Sequence, residues 1–240
     1  MKLDDPELVH REYADEHVFD VRRRVFTEFV DGANAADLAF AAVAEAAPDR
    51  VLEVGPGLGE FSARILQELG ADVDALDLSP RMVELTRSRG VRAVVGDAQA
   101  LPFPDAEFDC VVANWMLYHV PDRDRALSEI VRVLRAGGRF VAATFGRDNL
   151  RELWALLGEG QAPSQPFSSE NGGELLERHF ARVERCEAEA VVVFPGRAEV
   201  AEYVQASIRR RHLLARLPDV IEVPFRARSS QAVFVAEKAS

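Results

Sequence analysis

Cysteine is scarce in this chain, with only Cys110 and Cys186 in 240 residues. Neither sits in a C-x-x-C pair, and two thiols cannot build the multi-bridge framework of a small secreted domain. Neither structural zinc nor a disulfide scaffold is therefore expected. Long apolar runs are missing too: none approaches the roughly 20 residues that cross a bilayer. The first thirty residues are charged throughout, with Asp4, Asp5, Glu7, Arg11, Glu12, Asp15 and Glu16, which is unlike a targeting segment. A cytoplasmic location with no membrane contact is the expectation. There is no excess of positive charge: the net charge is −11, which works against binding nucleic acid or an acidic membrane. No internal repeat is found. The one loosely composed stretch, 158–173, mixes Gly, Pro, Ser, Gln and Asn and reads as a loop or lid.

What is present is an ordinary globular composition, 48% hydrophobic and 8% aromatic, and the length suits one domain with a sizeable core. Short apolar runs at 51–54, 72–77, 92–95, 108–114 and 139–144 alternate with helical patterns at 58–69, from Ser79, and at 123–134. That alternation predicts βαβ units and a mostly parallel, doubly wound sheet. Ser79-Pro80 supplies an N-cap followed by proline at the first helical position, and Gly137-Gly138 is expected to end the 123–134 helix. Past the loop a helix at 174–179, an apolar run at 188–194, a helix at 198–207 and a last run at 231–236 read as two further strands joined by a long excursion. Near the start, Val18, Val21, Val25, Phe26 and Phe29 recur at helical spacing with arginines between them, an amphipathic helix that packs on the domain. A functional reading makes it a lid bringing Tyr13 or His17 near a substrate.

The stretch 51–61, VLEVGPGLGEF, is a strand running into a glycine-rich turn and then a helix. At the carboxyl end of the first strand of an open parallel sheet the strand order reverses and a ligand crevice opens. Gly55, Gly57 and Gly59 are expected there because a side chain would block close approach of a ligand and because the turn needs unusual backbone angles. A dinucleotide fingerprint would put its third glycine where this chain has Glu60. Asp77 ends the second strand about 20 residues further on, where an acid can accept from both ribose hydroxyls. Turn and acid together indicate a nucleoside cofactor.

With those residues in view, the chain resembles the class I S-adenosylmethionine-dependent methyltransferases, in particular those similar to the ubiquinone/menaquinone C-methyltransferases. The resemblance lies in LEVGPGLG at 52–59, ALDLSP at 75–80 with Met82, GDAQALPF at 96–103, FDCVVAN at 108–114 and VLRAGGRF at 133–140, in matching order and spacing. It covers roughly residues 48 to 145 strongly. It implies a Rossmann-like fold with a seven-stranded sheet whose last strand is antiparallel, and the cofactor S-adenosyl-L-methionine, released as S-adenosyl-L-homocysteine. Carried over, Glu53, Gly55 and Gly57 would surround the methionine portion. Asp77 would hold the ribose, Leu78 would pack on adenine, Asp97 would accept from the adenine amino group, and Ala98 would give it a backbone N–H. Asn114 would meet the cofactor's ammonium or the substrate through its carbonyl or its side chain. The layout expected is a single domain over 1–240: a helical lid at 1–32, a cofactor-binding core at 33–146, and substrate-side helices and closing strands at 147–240.

Methyl transfer from a sulfonium is an in-line displacement, for which orientation alone can be worth about 7–11 kcal/mol. A general base is needed only if the nucleophile must lose a proton. The acceptor is expected above the fourth and fifth strands, near Trp115, Met116, Tyr118, His119, Thr144, Phe145 and Arg147. His119, Tyr118 and Tyr13 are the candidate catalytic groups, His119 because its pKa lies near neutrality. A structural role is the competing reading for each. The arginine runs 22–24 and 209–211 read as solvated helix faces, or alternatively as recognition of an acidic substrate. The expected partner is a small-molecule methyl acceptor, with the chain a monomer or homodimer. A silent S-adenosylmethionine-binding scaffold and an NAD-dependent oxidoreductase are the alternatives. Glu60, and the absence of a Tyr-x-x-x-Lys pair, speak against the second. The sequence Asn114-Trp-Met-Leu117 lacks the Asn-Pro-Pro-Tyr pattern of DNA amino-methylation.

Overall fold

In the computed structural model, residues 16–160, 165–207 and 209–240 are described. Eight strands form one sheet in the order β1-β7-β8-β6-β5-β2-β3-β4. Its centre is built from β2 (Arg50–Val54), β3 (Asp72–Asp77), β5 (Phe108–Val112) and the first half of the pairing of β6 (Leu134–Phe145), all parallel. The run β4 (Arg92–Val95) extends this parallel part beyond β3. The central strands β2 and β5 are short and mostly apolar because both of their faces are covered. Val51, Leu52, Val111, Val112, Phe140 and Val141 are fully buried.

Two layers of helices cover the sheet. On one face Ala39, Val43, Ile65 and Val83, from α2 (Ala35–Glu45), the α3 region and α4 (Pro80–Ser88), pack on Val51, Val73 and Val112. On the other, Leu127 and Ile130 of α5 (Arg123–Val133) join Leu52, Phe108 and Phe140. The helix ends follow the expected chemistry. Ser79 caps α4 by accepting from Met82 N–H at 3.4 Å, with Pro80 at its first position, and Asp122 caps α5 by accepting from Arg125 N–H at 3.0 Å. The predicted helix at 58–69 is α3 (Glu60–Arg64) running on as a π-turn over Ile65–Leu69.

The closing strands differ from expectation in extent and number. The runs at 188–194 and 231–236 are the inner parts of two thirteen-residue strands, β7 (Arg182–Phe194) and β8 (Phe225–Glu237), which pair along their full length. β8 is antiparallel to β6, as expected of the last strand. The sheet has eight strands rather than seven because β1 (Val30–Gly32) adds to the outer edge of β7. Its three residues Val-Asp-Gly carry no apolar alternation, so nothing in the pattern announces a strand. Gly137 and Gly138 do not cap the preceding helix: α5 ends at Val133, and Gly137, at φ +71°, shapes a bend inside β6.

Helix α1 (Glu16–Val25) carries Val21 and Val25 inward, while Phe26 and Phe29 fall in the turns after it. Val25, Phe26 and Phe29 join a third cluster with α6 (Arg151–Leu156) and α8 (Arg197–Ala206), built on Trp154, Phe194 and Tyr203. The helix expected at 174–179 is α7 (Gly172–Glu177).

Candidate functional site

The chain runs outward from β2 through β3 to β4, then returns to β5 on the other side of β2. The strand order therefore reverses between β2 and β5, and a crevice opens at their carboxyl ends. The glycine turn leaves β2 at this point.

Gly55, Gly57 and Gly59 all hold left-handed φ angles of +73°, +55° and +76°. These angles are the unusual turn geometry expected of the three glycines, and each position also excludes a side chain for a reason internal to the protein. A Cβ on Gly55 would stand 2.9 Å from Met116 Cβ, one on Gly57 would stand 2.9 Å from Phe19 Cζ, and one on Gly59 would stand 2.7 Å from Thr86 Cα. The ring of Phe19 thus brings α1 down onto the glycine turn. Arg23, four residues on and so on the same face of α1, reaches Glu60 at 2.8 Å. Arg89 approaches the same carboxylate at 3.3 Å.

Two carboxylates converge on the crevice. Asp77, at the end of β3, accepts from Ser79 N–H at 2.8 Å and also faces the Gly57 N–H, yet burial holds its pKa up at about 6. Glu53, buried at 2% exposure, accepts from the hydroxyl of Ser62. Burial pushes it to about 7 against that hydrogen bond, with the charge of Asp77 adding to the rise. Beside Asp77, Leu78 is a large aliphatic side chain left 61% exposed. Asp97 lies across from them after β4, but its carboxylate is engaged locally, accepting from Gln99 N–H at 2.8 Å and from Gln99 Nε2 at 3.0 Å. Ala98 is buried.

Asn114 follows β5. Its Oδ1 accepts from Ala143 N–H at 3.1 Å, which ties the side-chain carbonyl to the sheet. Its Nδ2 is buried with no hydrogen-bond partner among the described residues. Trp115 comes next with φ +53°, a strained angle for a bulky residue. The indole N–H donates to Gln231 Oε1 at 2.9 Å, and Gln231 Nε2 donates to Ser229 Oγ at 2.9 Å.

Of the expected catalytic groups, Tyr118 and His119 lie together on the short 3₁₀ turn Leu117–His119, their rings 4.4 Å apart. Tyr118 is 8% exposed, and its ring also approaches Phe145 at 6.2 Å. Tyr13 lies outside the described residues, and His17 is exposed. Phe145 ends β6 near Trp115, but Thr144 is turned away from any acceptor, its hydroxyl donating to the Phe167 carbonyl at 3.0 Å. No cluster of His, Cys, Asp or Glu suited to a metal occurs among the described residues. None of their helices is long and apolar enough to cross a membrane. Phe19 and Gln231 went unnoticed in the sequence. Phe19 stands outside the apolar stripe of α1, and its one signal is the i, i+4 spacing to Arg23. Gln231 is a lone polar residue opening an apolar run.

A family model described as a methyltransferase domain matches residues 52–142. The malonyl-[acyl-carrier protein] O-methyltransferase of Methylococcus capsulatus is 40% identical over 112 residues, 44% of this chain and 41% of that protein. The demethylmenaquinone methyltransferase of Thermobifida fusca is 31% identical over 174 residues, 70% of this chain and 71% of that one. The chain spans less than half the length of several of the curated relatives it matches. Among solved structures, the YcgJ protein of Bacillus subtilis superposes with a TM-score of 0.63 at 17% identity, over 84% of this chain and 98% of that one.

Proposed function

Since the chain belongs to the class I S-adenosylmethionine-dependent methyltransferases, we propose that it methylates O, N or C of a small molecule bound above the carboxyl ends of β5 and β6. The observation that carries this reading is the pairing of Asp77 with Leu78. A carboxylate set to accept from a ribose diol stands beside an exposed aliphatic side chain suited to the face of a purine. Asn114 Nδ2 adds a buried donor without a partner, fit for a carboxylate of the methionine portion or of the acceptor.

When bound, S-adenosylmethionine supplies an electrophilic methyl group on a sulfonium, leaving S-adenosylhomocysteine. The chain's own residues do the rest. Asp77 and Leu78 hold the nucleoside end, Glu53 sits in the floor beneath the turn, and Asn114 and Trp115 face the crevice from β5. Orientation is the main contribution asked of them, worth about 7–11 kcal/mol when reacting atoms are aligned. His119 and Tyr118 are the groups positioned to take a proton from an acceptor hydroxyl or amine, a step that typically adds about 10²–10⁴-fold. Tyr13 keeps that role only as a proposal from the sequence, and so does the division into lid, cofactor core and substrate-side segments. A cytoplasmic setting is part of the same proposal, supported by two cysteines that are both free.

The test is calorimetric titration with S-adenosylmethionine, S-adenosylhomocysteine and NADH, repeated on Asp77→Ala. Micromolar binding of the first two, weakened at least tenfold by the substitution, is expected. Binding of NADH alone, or of nothing, overturns the reading.

A further inference from the structure

The two arginine runs divide sharply in the structure. In the first, Arg23 is held by Asp20 and Glu60, and Arg24 by Glu28. In the second, Arg210 is half-buried, and its guanidinium lies over the ring of Trp154, 3.9 Å from the centroid. No carboxylate stands within ion-pair distance of it among the described residues. Tyr203 favours its charge, Arg209 opposes it with like charge, and Glu159 acts on it without a hydrogen bond. Burial is the largest influence on its charge and works against it. In a chain of net charge −11, where most buried or half-buried arginines have found a carboxylate, a desolvated and unmatched guanidinium calls for an anion.

Its position connects it to the crevice. Trp154 contacts Tyr203 at 6.2 Å between ring centroids, Tyr203 contacts Phe26 at 6.3 Å, Phe26 contacts Phe145 at 5.1 Å, and Phe145 contacts Trp115 at 6.3 Å. A continuous line of aromatic contacts therefore runs from Trp115, in the loop after β5, to the stacked guanidinium: Trp115, Phe145 and Phe26 are partly exposed, while Tyr203 and Trp154 are buried in the third cluster. The partly exposed rings suit an apolar or aromatic body, and a planar cation beyond them suits a carboxylate or phosphate, which a guanidinium can bind through two parallel N–H groups.

We propose that Arg210, stacked on Trp154, is the anchor for an anionic group carried by an otherwise apolar methyl acceptor. The inference rests on the methyltransferase reading and adds to it the charge of the substrate and the residue that selects it. Arg210 acts by positioning the acceptor and has no part in the methyl transfer itself.

The test uses the full wild-type chain, with binding of each probe read by calorimetry. Benzoate and phenyl phosphate serve as anionic probes, benzamide as the neutral isostere, and calorimetry with S-adenosylhomocysteine runs in parallel. At least one anion is expected to bind tenfold or more tightly than benzamide, and which of the two does so identifies the group. Arg210→Gln should remove that preference while leaving S-adenosylhomocysteine affinity unchanged, and Arg210→Lys should retain part of it. Equal binding of anions and benzamide, or a preference that survives Arg210→Gln, overturns the subsite while the methyltransferase reading stands. Failure of the parent protein to bind S-adenosylhomocysteine overturns that reading and the subsite with it.

Discussion

The indole N–H of Trp115 donates to Oε1 of Gln231 at 2.9 Å, joining the loop after β5 to β8 on the far side of β6. Trp115 is partly buried and Gln231 is 3% exposed, so the Gln231 carbonyl has no ready substitute in water. Gln231→Leu leaves a polar N–H unmatched beside a strained backbone. A loss of about 1–3 kcal/mol in urea unfolding is expected, with a shift in tryptophan emission. Unchanged stability would mean that Trp115 holds its angle without this bond.

The glycine turn makes a graded prediction. At Gly59 the obstacle to a Cβ is the backbone of Thr86, which cannot give, whereas at Gly57 it is the tip of the Phe19 ring, which can. Both positions also carry the left-handed penalty of about 1–2 kcal/mol for a residue with a Cβ. Gly59→Ala should therefore cost more stability than Gly57→Ala in thermal melts. Combining Phe19→Ala with Gly57→Ala should cost less than the sum of the two single changes, because they share one contact.

Glu53 gives a pH signature. Its folded pKa, about 7, lies above the ordinary value of 4.5, so the folded state holds its proton where the unfolded chain has lost it. Its contribution is fully favourable below about 4.5 and is lost as pH rises through about 7. The loss is of order 3 kcal/mol. Glu53→Gln should be less sensitive to pH than the wild type across that window. Parallel stability curves for the two proteins between pH 5 and 8 would refute the assignment.

Arg132 braces the segment after Asp97. Its guanidinium donates to the carbonyls of Leu101 at 3.0 Å and Phe103 at 2.8 Å, while pairing with Glu129 and Asp105. A lysine has one nitrogen and cannot reproduce that fork. Arg132→Lys should lower stability by about 1–2 kcal/mol and speed amide exchange over residues 97–105. Exchange faster everywhere, rather than in that segment, would point to a global role instead.

The parallel half of the fold was legible because its central strands are short runs dominated by buried apolar residues, VLEV and FDCVV among them, separated by helical patterns. Asp77 was legible for a chemical reason, being an acid at the end of a strand at a telling distance from a glycine turn. What stayed hidden depends on contacts distant in sequence. Phe19 meets Gly57 only once α1 is laid on the sheet, and Trp115 meets Gln231 only once β8 inserts beside β6. Asn114 shows the limit within a single residue: its position could be read, but which end of its amide the sheet consumes could not. The arginine runs looked alike as text, and only packing separates the paired Arg23 from the stacked Arg210.

The short strand β1 has a consequence at the border of the sheet. Among the described residues, it shields the outer edge of β7 only opposite Ala190–Val192, and the rest of that edge has no neighbouring strand. That bare stretch carries Arg182, Glu184, Arg185, Glu187 and Glu189, with Arg182 paired to Glu184 and Arg185 to Glu187. A second chain laid alongside would have to strip water from this run of charges to gain its backbone hydrogen bonds. The edge is thus protected from runaway ribbon growth by its own side chains, and self-association at this end of the molecule would have to use a helical surface.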